Sequence, residues 1–202
     1  MIRTVIFDIG RVLLGFEWDR YVHMLFDDEA TCRAVTEASF RCPYWTEMDR
    51  GNMRQEDIVE NMIENAPDYR TQILEVVECV GECVERFDYA IPWIEDLKNR
   101  GYQVLYLSNY SEHVRARSMH AMDFLDRTDG GIFSYEVKSV KPEPEIFEML
   151  IDRFDLVPEE CVFIDDSFPN VETAVGLGFN TILFKNHEQA SAELESLLGG
   201  CC

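Results

Sequence analysis

Five short runs rich in β-branched and aromatic residues, at 3–8, 103–108, 132–136, 161–165 and 180–184, constrain this chain more than any other feature. Each is strand-length and apolar on successive positions, the pattern of a strand covered on both faces. Helical spacing fills the gaps between the later runs, over 91–100, 111–122, 143–154 and 169–177. Strand and helix alternating through short connections predict an α/β fold, a doubly wound parallel sheet with helices on both sides. Gly101 and Gly178 fall at helix C-caps, so the Gly176/Gly178 pair reads as a helix end and not as a phosphate loop.

Residues 16–86 break the alternation. Apolar residues there recur at helical spacing (Tyr21, Leu25; Ile58, Met62, Ile63; Ile73, Val76, Val77, Val80), and no strand pattern stands out. The expected organisation is therefore a core of residues 1–15 and 87–202, with a small all-helical cap, 16–86, inserted after the first strand.

Charge narrows the function classes. The net charge is -21, from 18 basic and 39 acidic residues, a field that repels nucleic acid and anionic membrane surfaces. It repels an anionic substrate as well, which would need a strong local positive centre. With no basic-then-apolar leader and no apolar run of the ~18 residues that span a bilayer, a cytoplasmic protein is expected, a monomer or weak homo-oligomer. The seven cysteines are irregularly spaced and read as reduced thiols. Cys79 and Cys83 lie one helical turn apart with no second ligand pair, and Cys201-Cys202 read as a mobile tail.

In an open parallel sheet, ligands bind at the carboxyl ends of the strands. Those ends carry, in order, Asp8 and Gly10; Ser108 and Asn109; Lys141 in S-V-K-P-E-P-E-I-F; and Asp165, Asp166 and Asn170 in F-I-D-D-S-F-P-N. Singly, such residues are often helix caps; all together on one rim they point to a site. Asp8, Asp165 and Asp166 converging there would repel one another into protonation unless a cation sat between them. All-oxygen ligation by few carboxylates suits Mg²⁺, which shares its shell with water and phosphate. With Lys141, that ion would supply the missing positive centre.

The strings F-D-I-G-R-V-L, L-S-N, K-P-E-P-E-I-F and F-I-D-D-S-x-x-N resemble the four motifs of the haloacid dehalogenase superfamily. They are most similar to its phosphatase branch with a small helical cap, the sugar-1-phosphatase and epoxide-hydrolase-N-domain-like proteins. The resemblance implies a Rossmann-like core and hydrolysis of a small phosphorylated metabolite, a phosphomonoester such as a sugar phosphate, through an aspartyl-phosphate on Asp8. It implies that Mg²⁺ is held by Asp8, the Gly10 carbonyl and Asp166, with Asp165 orienting a metal-bound water. Ser108 and the Asn109 amide would bind the phosphoryl oxygens, and Lys141 would neutralise charge.

One position departs from that pattern. Phosphatases of the family usually carry a second aspartate two residues after the nucleophile, as general acid and base; here that position is Gly10. Such help is typically worth ~10²–10⁴ in rate. The loss biases the chain toward substrates with good leaving groups or slow turnover. Alternatively, this is a binding module that barely turns over. A metal-free dehalogenase is a further alternative, which the acidic pair Asp165-Asp166 disfavours.

Glu17 and Asp19 are expected to be solvated acids, with a substitute proton donor as the other reading. The stretch S-F-R-C-P-Y-W-T-E-M-D-R-G concentrates Phe40, Tyr44 and Trp45 with Arg41; these rings either form the insertion's own core or bring Trp45 over the substrate. Arg11, next to Gly10, either meets an entering anion or is simply an exposed loop arginine. The four scattered histidines receive no role.

Overall fold

The computed structural model describes residues 1–199. Strand β1 (Thr4–Phe7) leads through a tight loop into a short strand β2 (Leu14–Phe16) and then into helices α1 (Trp18–Leu25), α2 (Glu29–Ala38), α3 (Pro43–Arg50), α4 (Gln55–Asn65) and α5 (Arg70–Glu78). The chain returns through β3 (Val84–Arg86), which pairs antiparallel with β2. There follow α6 (Ala90–Asn99), β4 (Gln103–Ser108), α7 (Glu112–Arg117), β5 (Gly130–Phe133), the single turn α8 (Ser134–Val137), α9 (Pro144–Phe154), β6 (Cys161–Asp165), α10 (Phe168–Gly176), β7 (Asn180–Leu183) and α11 (His187–Leu198).

The main sheet has five parallel strands in the order β5-β4-β1-β6-β7. The α/β reading of the sequence therefore holds, and β1, the first strand made, lies in the middle of the sheet. Its side chains alternate between two cores. Val5 and Phe7 pack on the face shared with α6 (Ile94, Leu97) and the helical block, while Ile6 packs on the opposite face with Ile146, Phe147 and Leu150 of α9. Burial on both faces is what makes the strand apolar without alternation.

Four details differ from the sequence reading. The β2–β3 ribbon, three residues per strand, is too short to leave an alternating pattern, and it ties the two ends of the helical block together. The run read as strand 132–136 is instead Gly130–Phe133 followed by a helical turn. Glycine is a weak strand residue, but a side chain at Gly131 would collide with Tyr106 on the neighbouring strand. The chain leaves the sheet at Ser134, whose hydroxyl accepts from the Tyr110 N–H at 2.9 Å and donates to the Asp49 carbonyl at 2.6 Å. The helical run 111–122 stops at Arg117 because Ser118 turns its hydroxyl back onto the Val114 carbonyl at 2.8 Å, after which the chain continues in 3₁₀ turns. Helix α11 was not anticipated; only Ala190 and Leu194 bury fully, leaving a faint helical stripe.

Cys32, Cys42, Cys79, Cys83 and Cys161 are free thiols. The Cys201-Cys202 pair lies outside the described residues. Among the described residues, no helix is long and apolar enough to cross a membrane.

Candidate active site

Strand geometry sets the site. Asp8 follows the last residue of β1, and its N–H bonds the Ile164 carbonyl at 2.8 Å, which carries the ladder one step past the strand and puts Asp8 level with the end of β6. Asp165 closes β6 and Ser108 closes β4, both fully buried. Lys141, from the loop before α9, reaches between the strand ends: its Nζ lies 2.9 Å from Asp8 Oδ1 and 2.7 Å from Asp165 Oδ2. Asn109 fixes that loop with a pair of bonds, donating from Nδ2 to the Lys141 carbonyl at 2.8 Å and accepting from the Lys141 N–H at 2.7 Å.

Asp165 has few free lone pairs. One oxygen accepts from the Ser167 N–H at 2.8 Å and from Asn170 Nδ2 at 3.0 Å; the other accepts from Lys141 and, at 3.1 Å, again from Asn170. Such a carboxylate holds its neighbours in place. Asp166 differs: its side chain is 28% exposed, and the Arg11 guanidinium stands 3.9 Å away. One oxygen from each of Asp8, Asp165 and Asp166 lies within 4.8 Å of the others.

Three carboxylates face one ammonium, and the imbalance shows in their acidities. Burial pushes Asp8 well above the usual carboxylate range; Lys141 opposes the rise, and Asp165 and Asp166 add to it. Asp166 is raised for the same reasons, burial first and then the charge of Asp165. Burial alone would lower Lys141, but Asp165 and Asp8 outweigh it and hold the ammonium charged. A site with excess negative charge, a partly open carboxylate and only hard oxygen donors fits a divalent cation such as Mg²⁺. The gathered carboxylates of Asp8, Asp165 and Asp166 bring no nitrogen or sulfur that would suit a softer metal.

Of the remaining residues singled out in the sequence, Arg11 (φ 60°) is exposed, with its side chain toward Asp166. Trp45 packs 4.7 Å from Phe40 and 5.9 Å from Phe16 between ring centroids, as the core reading of the aromatic stretch expects, and also lines a cavity beside Gly10. Glu17 and Asp19 are exposed, and Glu17 faces a different cleft, with Arg20, Tyr21 and Glu82. None of the histidines joins the site. His113 and His120 are bonded to backbone carbonyls, His23 meets Asp19 and Glu29, and His187 stacks on Tyr89.

The sequence reading missed Asp49. This residue of α3 lines the same cavity, about 70 Å³, with Gly10, Trp45, Asn109 and Tyr110. The residue is half-buried, with its side chain on the lining of that cavity. Burial pushes Asp49 up to about 8; the Ser111 N–H opposes the rise and the charge of Asp8 adds to it. The spacing Trp45-x-x-x-Asp49 places both side chains on one helical face, a signal available once Pro43 is recognised as a helix start.

Residues 2–178 match the haloacid dehalogenase-like hydrolase family. The chain belongs to that family. Among its relatives, the D-ribitol-5-phosphate phosphatase of Bacteroides thetaiotaomicron is 23% identical over 205 residues, covering 98% of this chain and 99% of the relative. Acyl-CoA dehydrogenase family member 10 of Mus musculus is 25% identical over 205 residues; the chain aligns over 98% of its own length but spans only 19% of that protein. A HAD family enzyme of Bacteroides thetaiotaomicron, crystallised with magnesium and inorganic phosphate, superposes with a TM-score of 0.71 at 21% identity, covering 92% of this chain and 95% of that one. This haloacid dehalogenase-like hydrolase thus shares its fold with an enzyme that binds Mg²⁺ and phosphate, and it has a sugar-alcohol phosphatase among its relatives.

Proposed function

We propose that this hydrolase is a Mg²⁺-dependent phosphatase acting on a small phosphomonoester, with sugar phosphates the first class to screen. The reading is carried by the convergence of Asp8, Asp165 and Asp166 within 4.8 Å around the buried Lys141 ammonium. The phosphatase relative and the magnesium–phosphate complex of the structural neighbour support it.

In this reading an Asp8 oxygen forms a bond to phosphorus as the ester oxygen leaves, giving an aspartyl-phosphate that water then hydrolyses. Lys141, already bonded to Asp8, orients the nucleophile and meets charge on the transferring group. Ser108 and the Asn109 N–H, at the end of β4, bind the phosphoryl oxygens, while the Asn109 side chain keeps Lys141 in place. Asp8, the Gly10 carbonyl and Asp166 would hold the metal, positioned by the saturated Asp165; when bound, it supplies Lewis-acid stabilisation of the phosphoryl charge. The helical block 16–86 serves as the cap over the 1–15 and 87–202 core, with Trp45 in the wall that meets the substrate and Arg11 at the entrance.

The test is phosphate release from 4-nitrophenyl phosphate, acetyl phosphate and sugar-1- and sugar-6-phosphates, with Mg²⁺ or with EDTA. Release that needs Mg²⁺ and falls by at least about 10³-fold in Asp8→Asn is expected. No release from any ester overturns the reading in favour of a binding module, and EDTA-insensitive halide release from a 2-haloacid overturns it in favour of a dehalogenase.

A further inference from the structure

We propose that Asp49, delivered by helix α3 of the helical block, is the proton donor and acceptor of this site, supplying from above the carboxyl that Gly10 does not. The inference rests on the phosphatase reading and names a residue that the rim motifs leave out.

Three observations carry it. First, the cavity that reaches Gly10 and Asn109 is walled mainly by Leu14, Phe16, Trp45, Val84, Tyr110 and Val114, and the one ionisable carboxylate on its lining is Asp49. The other acids near the start of the insertion, Glu17 and Asp19, are exposed and turned elsewhere. Second, the end of α3 is clamped to the core at Asp49 and at the two residues after it. The Asp49 carbonyl accepts from Ser134 Oγ at 2.6 Å, and Arg50 grips Glu143 with two bonds of 2.7 Å. The Gly51 carbonyl accepts from Lys138 Nζ at 2.7 Å. Gly51 has φ +72°, and a Cβ there would lie 2.9 Å from Lys138 Nζ, so glycine is needed for the clamp to close. A side chain on so fixed a segment is preorganised. Third, no cation neutralises Asp49 among the described residues: the neighbouring arginine is committed to Glu47 and Glu143. A carboxyl in a mainly apolar cavity without a counter-ion takes up a proton readily, in keeping with its raised pKa.

The proton accounting closes. As Asp8 bonds to phosphorus and the phosphorus–ester oxygen bond breaks, the Asp49 carboxyl gives its proton to the leaving oxygen and becomes a carboxylate. Water then adds to phosphorus as the Asp8–phosphorus bond breaks, and Asp49 takes the proton that water loses. Inorganic phosphate, free Asp8 carboxylate and protonated Asp49 result, which is the starting state.

The experiment compares kcat/KM of wild type, Asp49→Asn and the double variant G10D/D49N on two esters with Mg²⁺ present. Acetyl phosphate expels a carboxylate that needs no proton; the fastest sugar phosphate of the panel expels an alkoxide that does. Asp49→Asn should lose roughly 10²-fold or more on the sugar phosphate and under about tenfold on acetyl phosphate. The added aspartate of G10D/D49N should recover the sugar phosphate rate, because a Cβ at Gly10 meets nothing within 4 Å and Gly10 borders the cavity that Asp49 lines. That recovery also shows that the variant is folded. Equal losses on the two esters, no loss, or a sugar phosphate loss that the double variant does not recover overturns the role of Asp49. A wild type that hydrolyses no ester overturns the phosphatase reading instead.

Discussion

The rim of the sheet gathers Asp8, Asp165 and Asp166, and the end of α3 sets Asp49 in a cavity that reaches Gly10 and Asn109, by different physical means. On the rim, position follows from the backbone: Asp8, Ser108 and Asp165 sit at the ends of parallel strands whose ladder fixes their level to within one residue. Asp49 owes its place to tertiary contacts, a serine hydroxyl, a bidentate ion pair and a lysine–carbonyl bond, between segments far apart in the chain. A site can thus take its acid–base group from a different structural layer than its nucleophile. The two layers then have different vulnerabilities.

The largest expected effect breaks the rim. Lys141→Ala leaves Asp8 and Asp165 buried without their shared cation, and should cost about 3–5 kcal/mol in urea unfolding at pH 8, besides turnover. A loss below ~1 kcal/mol would mean that the rim carboxylates find other compensation, and the contrast with α3 would fail. Next comes the clamp. Arg50→Ala removes a partly exposed bidentate pair worth about 1 kcal/mol, or roughly 2–4 °C in Tm. Its partner Glu143 is held down to about 2, chiefly by the Arg50 side chain. The pair's contribution is therefore complete above the ordinary glutamate range and lost as pH falls toward 2, so the Tm gap between wild type and R50A should close on acidification. A gap independent of pH would show that Arg50 acts by packing alone.

The smallest effect sharpens the comparison. Asp49 is raised, so its contribution to stability is complete at acid pH and lost as pH rises through about 8. Asp49→Asn should leave Tm unchanged near pH 3.5, below the ordinary aspartate value, and raise it progressively, by at least roughly 2–4 °C at pH 9. A destabilised D49N at pH 9 would mean that the charged carboxylate is bonded in place and is no reservoir for a proton.

How much was legible follows the same division. The parallel sheet and the four polar clusters can be read from the sequence because strand burial and strand-end position leave local marks, whereas the central place of β1 came only with the structure. The β2–β3 ribbon and the 3₁₀ turns after Arg117 left none, being three-residue elements and a side-chain bond. Asp49 lay inside the aromatic stretch but was overshadowed by Trp45. Its one local mark is the helical spacing from Trp45; the partners that fix it, Ser134, Lys138 and Glu143, are brought near only by folding.

The empty space above Gly10 has a consequence for how such a site changes over time. With nothing within 4 Å of a Cβ placed there, a single replacement could start an acidic side chain on the loop without a clash at its first atom. Proton supply can then pass from the lid to the floor in one step, through an intermediate that has both. Once the floor provides it, α3 is free to drift in shape and chemistry, and the lid can be rebuilt for another substrate.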